Sequence, residues 1–147
     1  MKGFAIKNSS RNNLKQIGDK IILNLIKKGI ETKYQILDNY IFLETEKDIN
    51  YNKIIEQDTH HGKLSTAKKE DIFEKIKELI SILDEPQTFA IKVNRKGEHK
   101  YTSTELAKDV ARAPFEKWPN IKVNLDNPDL EINVQIINNR SIIYLRN

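Results

Sequence analysis

The chain has 147 residues, and 25 Lys and Arg against 21 Asp and Glu give it a formal net charge of +4. This small excess permits nucleic-acid binding without requiring it, and aromatic residues, at 7%, are too few for an extended base-stacking platform. The absence of cysteine excludes disulfides, thiolate metal ligands and cysteine nucleophiles. With no secretory signal and no apolar run long enough to span a bilayer, the sequence predicts a cytoplasmic protein without a membrane partner.

Residues 1–67 have the pattern of a small α+β domain. A helix is expected to begin after polar caps at residues 8–10 and to end at Gly29, with its apolar residues on one face. A tight Asp38-Asn39 turn joins two of the strands. The other elements are strands at 3–7, 33–37, 40–44 and 62–67 and a short helix at 50–56. The order strand, helix, strand, strand, helix, strand predicts the ferredoxin-like topology.

Residues 68–147 predict a second domain, of α/β type. An amphipathic helix runs from Lys69 until Pro86 ends it, and a later helix is interrupted by Pro114. Strands are expected at 88–93, 121–125, 130–136 and 141–146. Phe115 and Trp118 are expected to close the core, with base stacking as the alternative role for Trp118.

A basic segment leads into a capped helix between these strands. Four basic residues surround Gly97, namely Arg95, Lys96, His99 and Lys100. Thr102 and Glu105 have the spacing of a capping box, so a helix begins there. A helix N-terminus beside mobile cations is suited to an anion, and in the absence of a Walker motif we expect a nucleic-acid phosphate. A solvated loop before an ordinary helix is the alternative.

The sequence predicts no catalytic or metal site. His60 and His61 are adjacent and have no supporting cysteine, and His99 has no orienting carboxylate except Glu98. Asp126 and Asp129 are expected to form a turn rather than a catalytic pair. The chain also ends at its last predicted strand. We therefore expect a protein that is not an enzyme and that carries no cofactor.

The second half resembles a THUMP domain, the RNA-binding module of 4-thiouridine synthetases, several tRNA methyltransferases, pseudouridine synthases and tRNA acetylation adaptors. The resemblance rests on the strand Phe-Ala-Ile-Lys-Val, the basic segment with its helix, the closing alternating strand, and Lys-Val-Asn-Leu-Asp-Asn-Pro-Asp-Leu-Glu-Ile. The last phrase is close to the family's Val-Asp-Leu-x-x-Pro-Asp-x-x-Ile, with Asn124 in place of an acidic residue. The family's glycine-containing turn is replaced by Ala111-Arg112-Ala113-Pro114.

In the family, this domain usually follows a ferredoxin-like domain, and the pair binds the acceptor stem and 3′ end of tRNA while a separate domain performs the chemistry. The resemblance implies RNA contacts by Arg95, Lys96, His99, Lys100, Ser103 and Arg112. It also implies an adaptor that presents tRNA to a separate modifying enzyme, an acetyltransferase by its nearest likeness. One alternative is the recognition part of a larger 4-thiouridine synthetase or methyltransferase. Another is a protein-interaction module whose basicity is incidental.

Overall fold

In a computed structural model of the chain, residues 2–8, 13–47 and 58–147 are described. The backbone forms two compact units, Met1–Gly62 and Lys63–Asn147. The predicted helix at 50–56 and the predicted caps Ser9 and Ser10 fall outside the described residues. Across the described ranges, no helix has the length and apolar character needed to cross a membrane. The predicted domain division after residue 67 stays a prediction.

In the described part of the first unit, a helix packs on a small antiparallel sheet. Residues His60 and His61, at the start of β4, pair with β1, so the strand order is β2-β3-β1-β4. The helix buries its Leu and Ile face against apolar side chains of β1 and β3. The described elements up to this point are β1 (Lys2–Lys7), α1 (Leu14–Lys27), β2 (Thr32–Leu37), β3 (Tyr40–Thr45) and β4 (His60–Thr66). The β4 strand begins in the first unit, which ends at Gly62, and continues in the second.

The two ends of α1 differ in how well they were predicted. Gly29 ends the helix as expected, with φ 74° and its amide bonded to the Ile26 carbonyl. The predicted cap at Asn8 is wrong, because Asn13 is the N-cap residue, without a side-chain bond. Asn8 instead exchanges hydrogen bonds with Asn39, whose side-chain amide donates to the Asn8 carbonyl at 2.8 Å.

The second unit is a mixed sheet with helices packed on it. Its strand order is β4-β8-β7-β5-β6, in which β5 is parallel to β7 and β6, and β8 is antiparallel to β7. The core lies between this sheet and the helices, with the α2 stripe buried. The elements after β4 are α2 (Lys69–Ile80), β5 (Thr88–Lys96), α3 (Ser103–Val110), α4 (Arg112–Lys117), β6 (Lys122–Val123), β7 (Leu130–Ile137) and β8 (Arg140–Arg146).

The observed α+β class confirms the predicted one, but three details differ. The α2 helix ends at Ile80, well before Pro86. At this end the Ser81 hydroxyl donates to the Glu78 carbonyl at 2.7 Å. The β5 strand continues to Lys96 because β7 pairs with it from Phe89 to Lys96. Phe115 does not close the core. It remains 40% exposed, with its ring edge-on to that of Phe89 at a centroid distance of 5.2 Å.

Other predictions for this unit are confirmed. Trp118 is buried, with 6% of its surface exposed. The helix after the basic segment breaks between Val110 and Arg112, since Pro114 has no amide to donate to the fourth preceding carbonyl.

Candidate nucleic-acid interface

The end of β5 and the start of α3 are joined by a network around Arg95. The Arg95 guanidinium donates to Ser103 Oγ at 3.2 Å and lies 3.0 Å from His99 Nδ1. Because arginine can only donate, Nδ1 is the acceptor and Nε2 carries the proton of a neutral imidazole. That Nε2 donates to the Asn138 carbonyl at 2.7 Å. The network therefore fixes the His99 ring in one tautomer and one orientation.

Gly97 makes the tight turn between β5 and this network possible. Its φ is 101°, a value that residues with a Cβ rarely adopt, and a Cβ there would collide with the Asn138 side chain. The backbone amide of Asn138 donates to the Lys96 carbonyl at 2.8 Å. The basic segment is thus held against the turn between β7 and β8.

Tyr101 supports the His99 ring from below. The two rings are stacked, with centroids 5.5 Å apart and planes inclined by 17°. The Tyr101 hydroxyl donates to the Ala67 carbonyl. Burial raises the pKa of the Tyr101 phenol, against the opposing charges of Arg95 and Lys69. The histidine is therefore a fixed wall of the surface rather than a mobile side chain.

These residues line an open groove of about 900 Å³, which we call the basic groove. Its charged lining consists of Lys68, Lys69 and Lys100 against Glu98, so the groove is positive. Lys69 Nζ lies 2.7 Å from the Asp109 carboxylate, and this hydrogen bond raises the pKa of Lys69. Lys68 and Lys100 are in ion pairs with none of the residues that the structure describes, so they remain available for an external anion.

The α3 entrance is capped as predicted. Thr102 Oγ1 accepts from the Glu105 amide at 3.1 Å, and the Glu105 carboxylate accepts from the Thr102 amide at 3.4 Å. The Ser103 and Thr104 amides donate to no residue in the described part of the chain. The Glu105 carboxylate already accepts from the Thr102 amide at the start of α3, and Ser103 Oγ already accepts from Arg95. Both contacts leave less room for the phosphate that was predicted at this helix N-terminus. The neighbouring basic groove offers the larger positive surface.

The structure groups the predicted RNA contacts unequally. His99 and Lys100 line the basic groove, and Lys96 is exposed at the end of β5. Arg95 and Ser103 belong to the network that supports the groove. The RNA-binding role of all of these residues stays a prediction.

Arg112 lies apart from the other predicted contacts, beside α2. Its Nε donates to the Asp109 carbonyl at 2.9 Å, and its guanidinium lies 3.3 Å from Glu70 and 4.3 Å from the Phe73 ring centroid. These contacts hold the end of α3 against α2. The geometry gives no support to an RNA contact by Arg112, which stays a prediction from the resemblance alone.

The sequence interpretation missed Lys68 and Lys69. The two lysines are adjacent in the sequence and Lys69 begins α2, but their position beside the basic segment depends on the order of the strands in the sheet. The Ala67 amide donates to the Asn139 carbonyl at 3.0 Å, which brings the end of β4 to the turn between β7 and β8. That turn carries Asn138, the partner of His99.

The remaining candidate residues have structural partners. Asp129 accepts from the Gln87 and Thr88 amides at 3.1 and 3.3 Å, and so positions the start of β5. The Asp126 amide donates to Asn124 Oδ1 at 3.1 Å. Within the described ranges, His, Asp and Glu side chains form no group of three that could hold a metal ion.

Together the fold and the groove define a mixed α/β domain that presents lysines beside a capped helix. The model of the THUMP domain family matches residues 66–146. The chain belongs to this family.

Two relatives are both named tRNA sulfurtransferase. The chain is 28% identical to the one from Thermoplasma volcanium over 130 residues, which cover 87% of this chain and 27% of the relative. It is 39% identical to the one from Vibrio campbellii over 70 residues, or 48% of this chain and 14% of the relative. The aligned part therefore spans less than a third of either relative's length.

Solved structures share the fold. The structure of a 4-thiouridine synthetase in complex with RNA and ATP superposes with a TM-score of 0.74 at 14% identity, covering 99% of this chain and 41% of that one. TrmN from Thermus thermophilus superposes with a TM-score of 0.68 at 13% identity, covering 99% of this chain and 45% of that one. At these identities the likeness shows the fold alone.

Proposed function

We propose that this chain is a tRNA-recognition module that binds the acceptor stem and single-stranded 3′ end of tRNA. The observation that carries the proposal is the basic groove, where Lys68 and Lys100 stand beside the fixed His99 ring. Lysines provide phosphate contacts that position RNA, and an aromatic wall suits an unpaired base. Membership of the THUMP family and the names of the relatives support tRNA as the RNA.

The groove favours a single-stranded end over a flat duplex. Its volume of about 900 Å³ can hold nucleotides that have left a helical stack. His99 is stacked on Tyr101 on one side, and its edge is bonded to Arg95 and Asn138, so the ring keeps its position when a base arrives. Preorganisation of this kind lowers the entropic cost of binding.

The enzyme that this module serves is, in our proposal, a tRNA-thiolating one. The relatives described above are named tRNA sulfurtransferases, so they favour thiolation over the acetylation that the resemblance first suggested. The module acts either as an adaptor or as the recognition part of the enzyme, and in both cases it performs no chemistry itself. A cytoplasmic location follows from this role.

Competition binding tests the RNA specificity. Labelled tRNA is titrated with the full chain, and intact tRNA, tRNA trimmed of its single-stranded 3′ end, and heparin are compared as competitors. Intact tRNA should compete best, and trimming should weaken it by about tenfold or more, because each lost base stack is worth ~1–3 kcal/mol. If heparin and trimmed tRNA compete as well as intact tRNA, the basicity is incidental and the proposal is wrong.

Nucleoside analysis of tRNA tests the pathway. Deleting the gene in the source organism should lower the thiolated uridine content of tRNA and leave acetylated cytidine unchanged. Loss of acetylated cytidine with normal thiolation would assign the module to an acetyltransferase instead.

A further inference from the structure

The β5 strand has an open edge next to α3. The β6 strand covers only its start, where β5 residues Thr88 and Phe89 pair with Lys122 and Val123. The Asn124 amide donates to the Phe89 carbonyl at 3.0 Å, so odd-numbered residues of β5 direct their backbone groups to this side. Beyond Phe89, the amides and carbonyls of residues 91, 93 and 95 therefore face an edge on which no described strand lies.

An apolar groove of about 600 Å³ runs beside this edge, on the α3 side of the sheet. Its floor is formed by Ile91 and Val93 of β5 and by the small residues Ala107 and Ala111. Its rim is formed by side chains that stay exposed, with Phe115 at 40% and Val123 at 53%. Exposed apolar side chains that converge on one groove are characteristic of interaction surfaces.

The groove has one charge on its described lining. Lys108, on the outer face of α3, is exposed and forms an ion pair with no residue that the structure describes. Three lysines stand in or beside the basic groove, whereas this surface has a single cation over an apolar floor. An RNA backbone needs a row of cations, so the apolar groove suits a protein segment that carries a carboxylate.

We propose that the apolar groove receives an extended segment of a partner protein, which adds as a strand to the open edge of β5. Backbone bonds to residues 91, 93 and 95 provide affinity that is independent of sequence. Apolar side chains at every second position of the partner enter the groove, and an acidic residue pairs with Lys108. Strand addition to an exposed edge beside a pocketed groove is a recurring mode of peptide recognition.

Selection from a phage-displayed library of random peptides, with the full chain as the immobilised target, tests this proposal. Enriched peptides should carry apolar residues at alternate positions and an acidic residue near one end. Synthetic copies should perturb the backbone amide resonances of Ile91 and Val93. Selection of peptides without this alternation, or perturbation of the basic groove instead, would overturn the proposal.

Substitutions at Val93 and Lys108 separate the backbone and charge contributions. Val93→Pro removes an amide that faces the open edge and takes part in no bond to β7, together with a side chain of the groove floor. Val93→Ala trims the same side chain and keeps the amide, so peptide binding should fall at least about tenfold further in Val93→Pro than in Val93→Ala. Lys108→Glu should bind the acidic peptides with roughly tenfold lower affinity than the wild-type chain. It should bind more tightly to a synthetic peptide whose acidic residue is replaced by lysine.

Lys77→Glu is the matched control, because Lys77 is also the basic residue in the last turn of its own helix. It should leave peptide affinity unchanged. Equal losses in the two lysine variants would mean a general effect of net charge and would contradict the proposal. If Val93→Pro fails to fold, the proposal is still tested by Lys108→Glu. This variant should prefer the peptide whose acidic residue is replaced by lysine, and no such preference would contradict the proposal. Self-association of the chain that competes with peptide would show instead that a second copy occupies the groove.

Discussion

At the residue scale, the four basic residues around Gly97 have different roles. The Arg95 guanidinium donates hydrogen bonds to Ser103 and His99. Lys100, in contrast, is exposed and has no ion-pair partner among the described residues. The sequence predicted the cluster but not this division, because the His99 network depends on Asn138, 39 residues further along the chain. A contact at that separation leaves no trace in local spacing.

Replacing Tyr101 by Phe tests the support beneath His99. The variant loses the hydrogen bond to the Ala67 carbonyl, so the free energy of unfolding at neutral pH should fall by about 1 kcal/mol. The measurement is urea unfolding followed by the fluorescence of Trp118, the single tryptophan of the chain, which lies in the second unit.

The pH dependence of the same two proteins gives a second result. Burial raises the pKa of Tyr101 above its ordinary value of 10.0, so the unfolded phenol ionises first. The folded state then binds more protons than the unfolded state, and stability is lost as the pH rises above 10. The wild-type protein should lose more stability over this window than Tyr101→Phe. Parallel stability curves would show that the phenol does not stay protonated in the fold.

At the element scale, local rules predicted the helix starts and ends that local chemistry controls. The Thr102–Glu105 capping box and the Gly29 stop are examples, since each depends on residues within one turn. The sequence could not predict that Phe115 stays exposed, because its exposure depends on its place in the lining of the apolar groove, which only the tertiary fold creates. It also could not predict that β5 reaches Lys96, since pairing with the distant β7 extends it.

The capping box allows a matched pair of threonine substitutions. Thr102→Ala removes the side-chain acceptor of the Glu105 amide and should destabilise the second unit by about 1 kcal/mol. Thr104→Ala, two residues later in the same helix, should be neutral or slightly stabilising because alanine has the higher helix propensity. Both are measured by urea unfolding with Trp118 fluorescence. Equal effects of the two substitutions would mean that the cap contributes nothing.

At the scale of the whole molecule, each unit has its own core. The family match, residues 66–146, lies within the second unit. The class of fold was predictable, since alternating strands and amphipathic helices define it. The basic groove was only half predictable. The basic segment in the sequence predicts the side of the groove that His99 and Lys100 form. The side that Lys68 forms could not be predicted without the order of the strands, which brings the end of β4 to the turn after β7.

The most direct test of the central claim is the dependence of tRNA affinity on salt concentration. Replacing Lys68 and Lys100 together with alanine should lower the slope of log affinity against log salt by roughly one unit per lost phosphate contact. Lys122→Ala is the control, since this exposed lysine lies beside Thr88, at the other end of the nine-residue β5 strand from Lys96. We expect the control to keep the wild-type slope. An unchanged slope in the double variant, with a reduced slope in Lys122→Ala, would show that tRNA binds elsewhere.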